Sequence, residues 1–222
     1  MKKSELLKYL PFIIIFVFPF VLIALHWGQI PEKIPVHWNI RGEVDRYGNT
    51  WEIFILPVVN ILVFLLILGL ARIDPKKNYQ KYSRTLLKIQ LGVALLLLLI
   101  FILSFYAALG YKMAIMEYTS LGVSILFIVL GNYLSKIRPN YFVGIRTPWT
   151  LESEDVWKKT HRFGGRLMIG IGFLILIVFF ILSKEWSFGL MIGCSAVLSI
   201  AMFLYSFLIY QKTDKNSVQS NS

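Results

Sequence analysis

IQLGVALLLLLIFILSFYAAL, Ile89 to Leu109, contains no Asp, Glu, Lys or Arg. Crossing the hydrocarbon core of a bilayer takes roughly 20 consecutive apolar residues, with a range of about 17–25. In lipid, backbone N–H and C=O groups must be satisfied within the segment, so such a run forms a helix. Outward from it lie five more runs free of those four residue types: Tyr9–Trp27, Ile53–Ala71, Tyr118–Leu134, Leu167–Ser183 and Trp186–Tyr210. The six together predict an all-α integral membrane protein with six transmembrane helices. Composition agrees: of 222 residues 57% are hydrophobic and 16% charged, against about 45–50% and about 25% in soluble domains. The first run is too long for a signal-peptide core, and no small-residue cleavage site follows it.

Lys and Arg orient the spans. The first tail, the second loop (72–88), the fourth loop (135–166) and the last tail hold 18 of the 23 Lys+Arg residues, and the alternate loops hold five. Cationic loops stay cytoplasmic, so both termini are expected inside. Trp27, Trp51 and Trp186 then fall at outer helix ends, where interfacial aromatics sit. The net charge of +11 is met by anionic lipid at the inner surface and calls for no direct contact with nucleic acid. The organisation expected is 1–71 (two helices with an outer loop, 28–52), 72–134 (helices three and four with the basic loop), 135–211 (the fourth loop with helices five and six) and a disordered tail, 212–222. The single Cys, Cys194, allows no internal disulfide and no Cys-based zinc site.

Two loops are long enough to carry structure, and structureless loops beyond about 12–15 residues are uncommon unless functional. In the outer loop Val36, Trp38 and Ile40 alternate with His37, Asn39 and Arg41. This is the period of a short strand, and Gly42 turns the chain after it. In the inner loop Pro148 breaks the chain. Thr150 or Ser153 can cap a helix whose first turn is acidic (Glu152, Glu154, Asp155). Glu154–Lys158 and Asp155–Lys159 are favourable i,i+4 pairs. Val156, Thr160 and Phe163 share a face, and Gly164-Gly165 is expected to end the helix. The reading is a cytoplasmic amphipathic helix lying on the membrane surface between helices four and five.

Motifs for hydrolase, metalloprotease, nucleotide-binding and thiol-redox chemistry are missing from the sequence. By topology His161 lies across the membrane from His26 and His37, so no three-histidine metal site forms, and neither a metal nor a cofactor is expected. No ionisable residue lies in mid-membrane, where proton and ion pathways need one. Pro19 and Pro57 are expected to kink helices one and two. Gly189 and Gly193, a GxxxG pair, are expected to pack helix six against a neighbour.

Two segments carry a family likeness. PEKIPVHWNIRGEVDRYG (Pro31–Gly48) resembles a bacterial membrane-protein domain of unknown function with a P-x-H-W-N-x-x-G loop, through Pro35, His37, Trp38, Asn39 and Gly42. NYFVGIRTPWTLESEDVWKKTHRFGGR (Asn140–Arg166) is similar to the signature of the SdpI family, immunity proteins against a secreted peptide toxin. The matching residues are Asn140, Gly144, Arg146, Thr147, Pro148, Trp149, Thr150, Leu151, Trp157, Thr160, His161, Arg162 and Gly165. The resemblance implies a multi-pass bacterial plasma-membrane protein that is not an enzyme. It also implies protection from an extracellular peptide toxin and capture of a small cytoplasmic winged-helix repressor. On that reading His37, Trp38, Asn39, Arg41 and Gly42 face the toxin. Arg146, Trp149, Lys158 and Arg162 are the surface offered to the regulator, since Trp and Arg most often anchor interfaces. Two rival readings stand beside it. One is a membrane enzyme or transporter acting on a lipid-like or small substrate gripped by Arg146 and Arg162. The other makes the inner loop a structural collar whose cations reach lipid headgroups.

Overall fold

Residues 7–182 and 184–219 are described by a computed structural model. The apolar runs fold as helices because no other backbone arrangement satisfies their polar groups in lipid. In chain order the elements are α1 (Leu10–His26), β1 (Lys33–Trp38), β2 (Val44–Asn49), α2 (Ile55–Arg72), α3 (Tyr79–Ala108), α4 (Ile115–Leu134), α5 (Pro148–Glu152), α6 (Glu154–Ile177) and α7 (Lys184–Gln219). Six helices among the described residues are long and apolar enough to cross a membrane. Antiparallel β1 and β2 form a hairpin at one end of the bundle. The long polar stretch before α6 lies at the other, here called the motif end.

Packing divides into three apolar clusters. Ile23, Ile34, Ile53, Phe101, Phe105 and Ala108 gather under the hairpin. Phe12, Ile15, Phe64, Leu68 and Ala94 join α1, α2 and α3. Tyr82, Leu86, Leu134, Trp157, Ile171 and Ile175 belong to the largest cluster, towards the motif end. The two buried amides of the spans clamp α2 to α3: Asn60 Nδ2 donates to Ala94 O at 3.1 Å and Gln90 Nε2 to Phe64 O at 2.9 Å. Ser120 and Ser187 share a hydroxyl hydrogen bond of 2.6 Å between α4 and α7.

The α4–α6 contact is the most extensive in the bundle, and glycines set it. A Cβ on Gly165 would lie 2.6 Å from Gly131 O, and one on Gly172 would lie 2.7 Å from Ser124 O. Only a residue without Cβ lets the two backbones come this close.

Several sequence expectations are corrected. Gly164-Gly165 does not end a helix: α6 runs unbroken from Glu154 to Ile177. Among the described residues the amphipathic stretch from Glu154 is no separate surface-lying helix but the first half of the fifth span. A glycine in a helix costs about 1 kcal/mol, and here the close packing it permits overrides that. Gly189 and Gly193 do not pack α7 against a neighbour in this chain, since a Cβ at either meets nothing within 4 Å. Both lie on the outward side of α7, near exposed Ile192 and Val197. Pro57 falls in the first turn of α2, where the missing N–H has no helical partner to lose. Pro19 lies inside α1 as expected. Helix α7 is described to Gln219, and residues 220–222 of the tail expected from residue 212 lie outside the described residues.

Candidate functional site

Two sites deserve construction from their residues, one at each end. In the hairpin, Asn39 builds the turn. Its Oδ1 accepts from the backbone N–H of Arg41 at 2.9 Å and of Glu43 at 3.1 Å, and its Nδ2 donates to Glu43 Oε2 at 2.9 Å. Gly42 completes the turn at φ +77°, a left-handed conformation that glycine adopts freely. Ile34 drops from β1 into the helical core, which seats the hairpin on the bundle. His37 pairs with Asp45 across the strands at 2.5 Å. Arg41 is exposed near the tip.

Under the hairpin lies a cavity of about 440 Å³, within the usual size of small-ligand sites, about 300–1,000 Å³. Its walls come from α2, α3, α4 and α7, among them Leu56, Phe101, Phe105, Met116 and Phe188. Val36, His37 and Trp38 contribute from β1, and Arg46 and Glu52 are the charged groups on its lining. The structure thus brings His37 and Trp38 to one apolar chamber, while Asn39 and Gly42 shape the turn beyond it. Trp27, Trp51 and Trp186 are 52%, 62% and 75% exposed, as a belt of interfacial aromatics requires.

At the motif end most of the signature folds inward. Asn140 is fully buried. Its Nδ2 donates to Arg138 O and Val143 O, and its Oδ1 accepts from Phe142 N and Val143 N. Gly144 follows at φ +110°, and a Cβ there would collide with His161 Nε2. That nitrogen accepts from Ile145 N at 3.0 Å, and His161 Nδ1 bonds Trp157 O at 2.9 Å. Trp157 Nε1 donates to Ile137 O at 2.9 Å, and its ring stacks on His161 with centroids 4.0 Å apart. Thr147 and Thr150 form a reciprocal cap around Pro148 at the start of α5, and Thr147 Oγ1 donates to Ser206 Oγ of α7 at 3.0 Å. Trp149, half-buried, packs its ring on Phe203 and Phe207. The Thr160 hydroxyl is buried and has no hydrogen-bond partner among the described residues.

Three of the expected recognition residues remain outside: Arg146, Lys158 and Arg162 are exposed. Arg146 Nη1 donates to Tyr141 O at 2.9 Å, and Lys158 pairs with Glu154 at 2.9 Å. Sequence reasoning missed the anchor of this loop. Asp74, buried between α2 and α3, accepts from Lys76 N at 2.9 Å and Tyr141 N at 3.1 Å. Lys76 Nζ donates to Leu151 O and Asn78 Nδ2 to Pro139 O. The Asp74-Pro75 pair between two helices is a turn signal and could have drawn attention to it.

Both sites fall in segments shared with other proteins. A family model described as the SdpI/YfhL protein family matches residues 136–206. A second, described as a domain of unknown function (DUF1648), matches residues 14–61. The immunity protein SdpI of Bacillus subtilis (strain 168) is 31% identical over 200 residues, covering 90% of this chain and 94% of that protein. An uncharacterized protein of Archaeoglobus fulgidus is 35% identical over 60 residues, covering 24% of this chain and 33% of its own. No solved structure matches the chain significantly. A match that runs nearly end to end, over six helices long and apolar enough to span a membrane, with the signature running from the loop after the fourth into the fifth, makes this chain a multi-pass membrane protein of the SdpI family.

Proposed function

We propose that this protein is a non-enzymatic immunity protein of a bacterial plasma membrane that protects its cell from a secreted antimicrobial peptide toxin. The observation that carries the reading is the hairpin roofing an apolar cavity of about 440 Å³. A chamber of this size would take apolar side chains of an amphipathic peptide arriving from outside, with a few polar groups at its edge to orient them, and His37, Trp38, Arg46 and Glu52 line this one. The surplus of cations at the motif end supports a hairpin facing outward. The name of the Bacillus subtilis relative supports immunity as the role. The test is survival of a toxin-sensitive strain expressing this protein. Trp38→Ala and His37→Ala should lower resistance at unchanged membrane abundance. Full protection by both variants would reduce the hairpin to a connector.

The reading has a second part at the motif end. Arg146, Lys158 and Arg162 form the surface offered to a cytoplasmic winged-helix repressor, held when toxin is present. Its support is that these three remain solvent-exposed while Asn140, Thr147, Thr150, Trp157 and His161 are buried in internal bonds. A guanidinium grips a carboxylate or carbonyl through two N–H donors, whereas Lys is a point charge. Arg162→Lys should therefore weaken co-purification of the repressor by roughly 10-fold or more. Equal recovery would leave only the collar role for that residue.

A further inference from the structure

At the motif end, where α1 and α3 begin and α2 ends, lies a cleft of about 440 Å³ lined by Lys8, Tyr9, Arg72, Tyr79, Ser83 and Arg84, among others. Its two arginines, Arg72 and Arg84, share it with no carboxylate among the described lining residues. That is unlike the rest of this end. Lys158 and Lys159 have acidic partners one turn away. The neighbouring cleft sets Glu152 and Glu154 beside Lys76, Lys81 and Arg138.

Like charges gathered in one cleft repel unless an anion joins them. Tyrosines orient the central cation. Arg72 Nη2 donates to Tyr9 OH at 3.4 Å, and the guanidinium carbon lies 6.0 Å from the Tyr79 ring centroid. Bonds to the two tyrosine hydroxyls leave donors of the five-donor fork for a ligand. Arg84 makes no ion pair with another described residue.

The level of the cleft limits what that ligand is. Arg72 ends one membrane-spanning helix and Tyr79 begins the next, so the cleft sits where hydrocarbon gives way to headgroups. Leu87 contributes an apolar wall, and Leu10, Ile13 and Ile14 on α1 are exposed beyond it. A ligand here has a phosphate above and an alkyl chain below. A zwitterionic headgroup would bring an ammonium group, and none of the described lining residues is a carboxylate to receive it.

We propose that this cleft is a binding site for an anionic glycerophospholipid, its phosphate gripped by Arg72 and Arg84 with hydroxyls of Tyr9, Tyr79 and Ser83 around it. Guanidinium and phosphate meet through paired, charge-assisted hydrogen bonds, and basic clefts between helices at the inner surface bind anionic headgroups by this chemistry.

The experiment is native mass spectrometry of the full chain in detergent, with phosphatidylglycerol or phosphatidylethanolamine added. The wild type should retain phosphatidylglycerol about tenfold more strongly than phosphatidylethanolamine, as expected for a charge-assisted contact. The Arg72→Ala/Arg84→Ala pair should lose about tenfold of that retention. A Lys159→Gln/Arg166→Gln pair removes equal charge elsewhere on this end and should lose little. Helix content by circular dichroism verifies folding, and Arg72→Lys/Arg84→Lys, which keeps the charge, should fall between wild type and the alanine pair. Unchanged retention in the alanine pair overturns the proposal. So does equal loss in both charge-removal pairs, or equal retention of the two lipids by the wild type. Displacement of the lipid by millimolar inorganic phosphate also overturns it, by making the cleft a soluble-anion site.

Discussion

His161 shows what the signature does residue by residue. Its Nε2 accepts from the Ile145 N–H, so Nδ1 carries the proton and donates to Trp157 O. The imidazole is neutral in this arrangement, with both nitrogens used. His161→Phe keeps the stack on Trp157 but leaves the Ile145 N–H without its partner, at about 1–3 kcal/mol. Gly144→Ala drives a methyl into the same nitrogen from a left-handed backbone, also at about 1–3 kcal/mol. Each variant should lower the thermal midpoint in detergent. The double variant should lose less than the sum, because both break one contact. Additive losses would mean that the two positions act separately. The sequence displayed this signature without displaying its direction. A dense polar passage beside apolar runs reads as a solvated surface, yet Asn140, Thr150, Thr160 and His161 are fully buried. Asn140 and Thr150 spend their bonds on groups within five residues, which marks a built turn rather than a solvated surface, while His161 meets the Ile145 N–H sixteen residues away, a pairing that no local pattern records.

Among the elements, α4 and α6 hold the bundle together through glycine. Gly165→Val would force these backbones apart at Gly131. Overpacking a tight contact typically costs about 1–3 kcal/mol, so its abundance in the membrane should fall. Gly189→Val and Gly193→Val should leave abundance unchanged, since nothing stands near either position. Equal effects at both places would mean that α7 meets a partner outside this chain. Hydropathy located all six spans, because lipid imposes the same demand on each. It could not tell which glycines lie at a seam. GxxxG spacing shows that a backbone can be approached, and not that a helix approaches it. The hairpin was half legible: the alternation over residues 36–41 caught the end of β1 and ran past it, since β1 is Lys33–Trp38 and Ile40 is exposed in the turn, and β2 (VDRYGN) has mostly polar residues and a sequence without a clear apolar face. The extra length of α3 before Ile89 was hidden for a similar reason. Its first turns carry Lys81, Arg84 and Lys88, which end an apolar run without ending a helix.

For the whole molecule, the cation asymmetry predicts which end faces which compartment. In a Cys194→Ala background, Arg41→Cys should react with a membrane-impermeant maleimide on intact cells, and Lys212→Cys only after permeabilisation. The reverse pattern would invert the orientation and with it the toxin-facing reading of the hairpin. A final consequence concerns α2. It leaves β2 through the short 3-10 turn Thr50–Phe54 and ends at Arg72, two residues before buried Asp74 takes hold of Tyr141. Both ends are anchored, so α2 behaves as a connecting rod between the hairpin and the loop that carries the signature. One added residue would advance the rod by about 1.5 Å and turn it by about 100°, which displaces the hairpin from the loop held by Asp74. A single alanine inserted after Leu62 should therefore abolish protection, whereas the same insertion at Tyr111–Met113, between α3 and α4, should be tolerated. The machine can be lengthened at its joints but not along its shaft.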